Sequence, residues 1–434
     1  MDVKEISKII QNDMSRRKGI LESKKYYANE NNILKTGVTS EDSSKDPLRN
    51  ADNRISHNFH EILVNEKAAY MFTYPVNFDL NDDDKLNSKI TEVLSEEFEC
   101  ISKDLCIEAS NAGTAWLHYW INDSKKEFEY AIVNTEQVIP VYDSTLKRNL
   151  IEVYRYYEDF MGEKIVTVFE HWKHKELVKY TLEGGLESAK AKLLNEENIT
   201  YIIEDIPFIE FANNKIKKCD LSRYKNLIDL YDKVISGFAN DLEDIQQIIY
   251  ILENYGGEGL GEFLGDLRRY KAIKTETGVN GDGGGVKTLQ IEIPVEARKV
   301  ILDILKKQIY ESGQGLQQDT ESFGNASGVA LKFFYRKLEL KSGLLETEFK
   351  KGFSKLVRAI LTFLNIKEFV NIQQTYTRNM ISNDLENAQI AQVSSGILPR
   401  KIIIRNHPWV DDVEETMALL EEEENQREVD PYEE

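Results

Sequence analysis

Apolar positions along this chain switch between helical and strand periods, and the longest run of one period lies near the C-terminal third. In FGNASGVALKFFYRKLELKSGLLETEFKKGFSKLVRAILTFL, residues 323–364, apolar side chains recur as Val329, Phe333, Phe334, Leu338, Leu345, Phe349, Phe353, Leu356, Ile360 and Leu364. Asn325 and Ser327 supply capping side chains, and Gly324 and Gly328 let the backbone turn into the helix. The pattern predicts one rod of about 55 Å at 1.5 Å per residue, far beyond an ordinary globular helix. Gly343 and Gly352 interrupt it, each costing about 1 kcal/mol relative to Ala, which predicts a kink or short loop near Lys341–Thr347.

The remaining pattern predicts an α+β chain. Residues 1–27 read as a helix with Ile6, Ile9, Ile10 and Ile20 on one side, followed by a polar arm from Asn29 to Asn53. A helix in 55–72 places Phe59, Leu63, Lys67, Tyr70 and Met71 at helical spacing and stops before Pro75, and a second helix covers Asp84–Ala109. After Gly113 the period becomes two, in AWLHYWIN, FEYAIVN, QVIPVYD, IEVYRYYED and KIVTVFEHWKHKELVKYTL, with a further short strand at Phe208–Phe211. This is a mostly antiparallel sheet.

From Leu221 to Glu253 the helical period returns, with Leu227, Leu230, Tyr231, Val234, Phe238, Leu242, Ile245, Ile249 and Leu252 near one stripe. Two glycine clusters, GGEGLGEFLG and GVNGDGGGV, then frame a small insert with mobile hairpin tips, and VKTLQIEIP adds a strand. Pro294 opens a helix bearing Ala297, Val300, Ile301, Ile304, Leu305 and Ile309. Past a strand in EFVNIQQTYTR, Asn383 with Glu386 and Asp411 with Glu414 make capping-box starts, and Gly396 closes the first of two helices.

Composition narrows the function. The 434 residues, 41% of them hydrophobic, suffice for several domains with real cores. The 75 acidic against 55 basic residues give a net charge of −20, which repels a polyanion and argues against groove-reading nucleic-acid binding. Cys100, Cys106 and Cys219 form neither a disulfide framework nor a zinc spacing, which fits a reducing compartment. Neither a signal-peptide pattern nor a membrane-length apolar run is present, so the expectation is a soluble, cytoplasmic chain without membrane contact.

Candidate chemistry is thin. The glycine clusters lack the lysine of a phosphate loop, and no nucleophile-elbow pattern occurs. His171 and His174 fall on opposite faces of a strand, which opposes a shared metal. Asn81 to Asp84, and Asp411 with Asp412, match a hard cation or, more simply, a solvated turn and a helix N-terminus. His57 and His60 read as packing or capping groups. The expectation is no catalytic residue, no cofactor and no metal, with a metal-dependent nuclease or phosphotransferase using Asp82–Asp84 and the glycine loops as the competing reading.

An ordered set of segments carries a family resemblance: KKYYANENNIL at 24–34, NRISHNFHEILVNEKAAYMFTYPV at 53–76, NAGTAWLHYWIN at 111–122, VIPVYD at 138–143, NDLEDIQQIIYIL at 240–252, FGNASGVALKFFYRKLELK at 323–341, YTRNMISNDLENAQIAQ, and NHPWVDDVEETMALLEEE. The chain resembles the portal proteins of tailed bacteriophages, in the family common among phages of Gram-positive hosts. It departs visibly only after Arg405, where the chain is short.

The resemblance implies a portal fold assembled as a ring, commonly of twelve subunits, around a DNA channel at one capsid vertex. Its parts would be an N-terminal helix and arm (1–53), a wing of helices and mostly antiparallel sheet (54–220), a stem helix (221–255), a small αβ clip (256–320), a second stem helix (321–341), a channel loop with the long wing helix and a wing strand (342–380), and a helical crown (381–434). Lys341, Ser342, Gly343, Leu344, Leu345 and Glu346 would form the channel loop. Lys271, Lys274, Asp282, Lys287 and Gln290 would meet adaptor proteins from the clip. The implied partners are further copies of the chain, double-stranded DNA, terminase, the major capsid and scaffolding proteins, and a head-completion adaptor; another virion connector or minor head protein is the near alternative. The implied location is the virion, after assembly in the host cytoplasm.

Overall fold

A computed structural model describes residues 1–35, 51–81, 83–122, 124–185, 192–201, 203, 205–244, 249–253, 285–289, 294–316, 328–366, 370–378, 384–405, 410 and 413–428. They form two compact units: Met1–Lys24 with Glu61–Ser222 and Gly313–Glu434, and Lys25–His60 with Arg223–Ser312. Among the described residues every strand pairs antiparallel.

In the first unit, α1 (Val3–Tyr27) lays Ile6 and Ile10 onto a five-stranded sheet, against Tyr156, Phe169, Val178, Tyr180 and Leu182. That sheet has the order β4 (Val138–Tyr142), β5 (Leu150–Met161), β6 (Lys164–Lys173), β7 (Glu176–Glu183), β8 (Leu193–Thr200). A smaller sheet runs β3 (Phe128–Val133), β2 (Thr114–Ile121), β9 (Phe208–Ala212). β2 follows directly on a helix because Gly113 adopts φ +86 at the helix end and its missing Cβ leaves room for the backbone of Lys217.

The main core forms where α7 (Gly328–Phe363) crosses the small sheet. Leu338, Leu345, Phe349, Phe353, Leu356 and Ile360 are all buried, as their spacing requires. Phe211 of β9 packs with ring centroids 5.2 Å from Phe349 and 5.0 Å from Phe353.

The second unit holds α5 (Lys225–Asp244), most of α6 (Val295–Gly313) and the pair β10 (Ile249–Glu253) with β11 (Gly285–Leu289). An extended segment lies along α5 through a ladder of matched spacings. Asn53 N–H donates to Asn240 Oδ1 at 2.6 Å, Ile55 N–H to Ser236 Oγ at 3.0 Å, and His57 Nδ1 meets Asp232 Oδ1 at 2.8 Å. Alternate residues of an extended chain rise about 6.6 Å, and helix residues four apart about 6 Å, so the rungs stay in step.

Several expectations change. The helix read as Asp84–Ala109 is two, α3 (Asp84–Leu94) and α4 (Glu97–Ala112), because Ser95 turns out at φ 56 and ψ −179. Asp83 caps α3 by accepting from the N–H groups of Lys85 and Leu86, the simpler of the two readings of that acidic run. The stripe read as helical to Glu253 ends as helix at Asp244, and IYILE forms β10, where β-branched and aromatic residues pair with Gly285–Leu289. Two strands lacked a readable signal: β1 (Asn77–Leu80), which pairs with β12 (Ile372–Thr375), and β8, whose residues are all exposed. His171 lies in β6 with Nε2 2.9 Å from Glu152, while His174 and Lys175 make the hairpin turn to β7. The capping residues Asn325, Ser327, Asn383 and Asp411, with Asp82, lie outside the described residues.

His118, on β2, is enclosed by aromatic rings: Trp172 at 4.9 Å, Phe208 at 4.6 Å and Trp120 at 5.5 Å between centroids. Burial pushes its pKa down to about 4, partly offset by the Nδ1–H bond to the Pro207 carbonyl at 2.7 Å. The fold therefore favours neutral imidazole, and this contribution, complete above the unfolded value of about 6.5, disappears as pH falls toward 4. Acidification from pH 7 to pH 4 should destabilise the parent by about 3 kcal/mol more than His118→Phe, read from the tryptophan fluorescence transition in urea. Equal losses in both proteins would refute this.

Candidate functional site

The segment expected to break into a loop is instead helical throughout, and it is gripped from two sides within the first unit. Lys341, Ser342, Gly343, Leu344, Leu345 and Glu346 all lie inside α7, whose 36 residues run without interruption. Lys341, Ser342 and Leu345 are buried, Gly343 and Glu346 half-buried, and Leu344 is exposed, as is Leu340 one turn earlier.

The first grip is a buried charge node. Asp220 follows β9 in a short connection and is only 2% exposed. Its Oδ2 sits 2.7 Å from Lys67 Nζ and 3.0 Å from Lys341 Nζ. Asn213 donates to Oδ1 at 2.8 Å and itself accepts from Lys67 at 2.8 Å, while Lys341 also donates to the Gly313 carbonyl at 2.7 Å. Burial alone would raise the Asp220 pKa, but the two ammonium groups and the hydrogen bonds outweigh it and hold the carboxyl well below its usual range. Nearby Glu66 accepts from Leu316 N–H at 3.0 Å, and burial raises its pKa against the pull of Lys341.

The second grip comes from Arg378, just beyond β12. Its guanidinium pairs with Glu339 and Glu346, two helical turns apart on α7. Glu339 also accepts from Tyr70 at 2.6 Å, and Glu346 pairs with Lys350 at 2.7 Å. Tyr70 stacks on Tyr335 at 5.7 Å. A loop at 341–347 would draw Lys341 away from Asp220 and Glu346 away from Arg378, a loss that outweighs the glycine penalty.

Lys67 had a readable signal, since a lysine in the apolar stripe of α2 (Phe59–Met71) must find a buried counter-charge. Asp220 and Arg378 had none, because their partners lie far away in sequence. Of the clip residues, Lys287 lies in β11 opposite Ile251, and Lys271, Lys274, Asp282 and Gln290 fall outside the described residues.

The model of the family described as "Phage portal protein, SPP1 Gp6-like" matches residues 6–430, nearly the whole chain. The chain belongs to that phage portal protein family. A portal protein of Clostridium phage phiCD119 is 59% identical over 436 residues, covering 98% of this chain and 96% of that protein. The portal protein of Bacillus phage SPP1 is 30% identical over 447 residues, covering 98% and 87%. A solved neck of an empty gene transfer agent particle aligns at TM-score 0.49 with 9% identity over 80% of this chain and 88% of that one, a likeness too low to argue from. Within the portal family reading, the gripped stretch of α7 is an expected functional segment flanked by ion pairs to Asp220 and Arg378.

Gly343 and Gly352, both inside α7, should respond oppositely to alanine. A Cβ at Gly343 meets nothing within 4 Å, so Gly343→Ala should stabilise by about 0.5–1 kcal/mol. At Gly352 it would stand 2.5 Å from Cδ1 and 2.8 Å from Cζ of the fully buried Phe211 ring, so Gly352→Ala should cost about 1–3 kcal/mol. Denaturant unfolding of both variants gives the comparison, and effects of the same sign would contradict this packing.

The node makes a second demand. Asp220→Asn leaves two buried ammonium groups unpaired and should cost about 3–5 kcal/mol, whereas Lys341→Met keeps the Lys67–Asp220 pair and should cost clearly less. Equal destabilisation by the two variants would mean that Asp220 does not centre the node.

Proposed function

We propose that this protein forms a ring, of twelve subunits, around a DNA channel at one vertex of a phage capsid, where it serves genome packaging, head-tail joining and ejection. One observation carries the reading: the portal family match runs from residue 6 to residue 430, with a relative 59% identical along its length. In this reading residues 54–220 are the wing, α5 and the start of α7 the stem, 256–320 the clip that meets terminase and then the adaptor, and 381–434 the crown. The remainder of α7 runs through the wing, whose outer surface meets the capsid and scaffolding proteins.

The channel-facing part of the proposal now rests on a helix, not a loop. Leu340 and Leu344 are the exposed apolar positions of the gripped stretch, 59% and 70% accessible. The net charge of −20 supports a sliding channel, since DNA carries one charge per about 1.7 Å of its axis and a basic wall would hold it. Packaging work is assigned to a terminase, with this chain non-catalytic. The family match lends the nuclease alternative no support, and Asp83, one of its acidic residues, caps α3.

Light scattering and negative-stain imaging of the purified chain should give one large species with end-on rings. A homogeneous monomer of 50.1 kDa at assembly concentrations would sink the proposal. Incubation with ATP and Mg²⁺ should release no phosphate above a protein-free blank. Turnover that Asp83→Ala removes would restore the enzyme reading.

A further inference from the structure

The five-stranded sheet extends past the helix that covers it. Ile6 and Ile10 of α1 pack over Tyr156 on β5, Phe169 on β6 and Leu182 on β7. Side chains two apart along a strand share a face, so Phe160, four residues beyond Tyr156, and Ile165, four before Phe169, belong to that same face. The register sets Phe160 opposite Ile165 and Leu193 opposite Leu182, which itself faces Thr167, two residues from Ile165. Phe160, Ile165 and Leu193 therefore gather at one end of the sheet. Four residues of strand span about 13 Å, and α1 does not reach this far: Phe160 is 73% exposed, Ile165 47%, and Leu193 is exposed as well. Met161 and Leu194 add exposed apolar surface at the same end. A ring paired with a β-branched chain helps to hold a hairpin, but that role requires neither exposed leucine. Large side chains exposed in this number mark a surface that is covered in use.

Charge indicates what covers it. Glu158, Asp159, Glu163, Glu183, Glu196 and Glu197 are all exposed around this end, against two lysines, Lys164 and Lys192. The apolar face itself carries Glu158, two residues from Phe160, and Glu196, opposite Tyr180, whereas Lys164 alternates to the other face from Ile165. Nucleic acid or an anionic lipid surface would be repelled, and a second copy would bring the same acidic rim to a like-with-like contact. A cationic partner is drawn to the rim while its apolar side fills the face. The neighbouring stretch of this face is already occupied by a helix, α1, with Ile6 and Ile10 turned inward. Helices pack side by side at about 8–10 Å, so another helix fits beside α1 over the exposed residues.

We infer that this end of the sheet is a docking site for an amphipathic helix of a different protein, bearing lysine or arginine on its polar side. That helix lies alongside α1 with its apolar side on Phe160, Ile165 and Leu193. All of these residues belong to the first unit of one chain, so the inference stands whether or not copies form a ring.

Two synthetic amphipathic helical peptides test it, one with leucine on one side and lysine on the other, the second with glutamate in place of lysine. Each is titrated with the full-length chain at physiological salt and followed by fluorescence anisotropy. The leucine–lysine peptide should bind the parent and the leucine–glutamate peptide should not. Phe160→Ser with Ile165→Thr removes the apolar anchors, and Glu158→Gln with Glu196→Gln removes the charge on that face; each should bind the leucine–lysine peptide about tenfold more weakly. Glu92→Gln with Asp104→Asn makes the same change in net charge at exposed positions of α3 and α4 and should bind as the parent does. Equal binding by all four chains would mean attraction to the overall charge of −20 and overturns the proposal. Failure of the parent to bind, or equal binding of both peptides, overturns it as well. If the apolar variant does not fold, the two charge variants decide between these outcomes. Light scattering addresses the remaining occupant: parental association by Glu158→Gln with Glu196→Gln and by the apolar variant supports the proposal, whereas association lost in either means that a second copy covers the patch and the proposal fails.

Discussion

A buried aspartate that must satisfy two lysines is the constraint on which the first unit turns. Asp220 leaves β9 by a short connection, Lys67 arrives on α2 and Lys341 on α7, so three segments distant in sequence are fixed at one point. Such a node adds little net stability over apolar packing, since desolvation offsets most of the attraction. Its value is selective. Arrangements that separate these segments leave an ion buried alone, and only one relative placement of α2, β9 and α7 avoids that. Arg378 repeats the principle nearby by joining two glutamates two turns apart on α7.

Where local preference and tertiary demand agreed, the chain was legible. The alternation from AWLHYWIN onward did become antiparallel strands, and the apolar positions from Leu338 to Ile360 did become the buried stripe of a long helix. Gly343 misled because intrinsic propensity, worth about 1 kcal/mol, was weighed without the ion pairs on either side. IYILE misled differently: a short apolar run fits both periods, and only its pairing partner decides. β8 could not be anticipated, because none of its side chains is buried and its order comes from backbone pairing with β7. For residues 341–346 the unbroken helical conformation was not legible.

Histidine illustrates how position on the sheet governs chemistry. His118 and His171 both have depressed pKa values from burial, yet His171 faces Glu152 whereas His118 faces aromatic rings and a carbonyl. Each is held by its surroundings in a role that needs no reactivity. His57 is held in the same manner at the end of the α5 ladder, by the buried carboxylate of Asp232.

The ladder on α5 has an implication for how this protein can vary in length. Its rungs at 232, 236 and 240 engage residues 57, 55 and 53 only while helix and extended chain remain in phase. Inserting or deleting one residue between the rungs rotates the following helix by about 100°, carrying the next rung away from its partner. Side-chain replacements there can be absorbed singly, but frame changes cannot. Related chains should therefore tolerate indels before residue 53 far more readily than between 232 and 240.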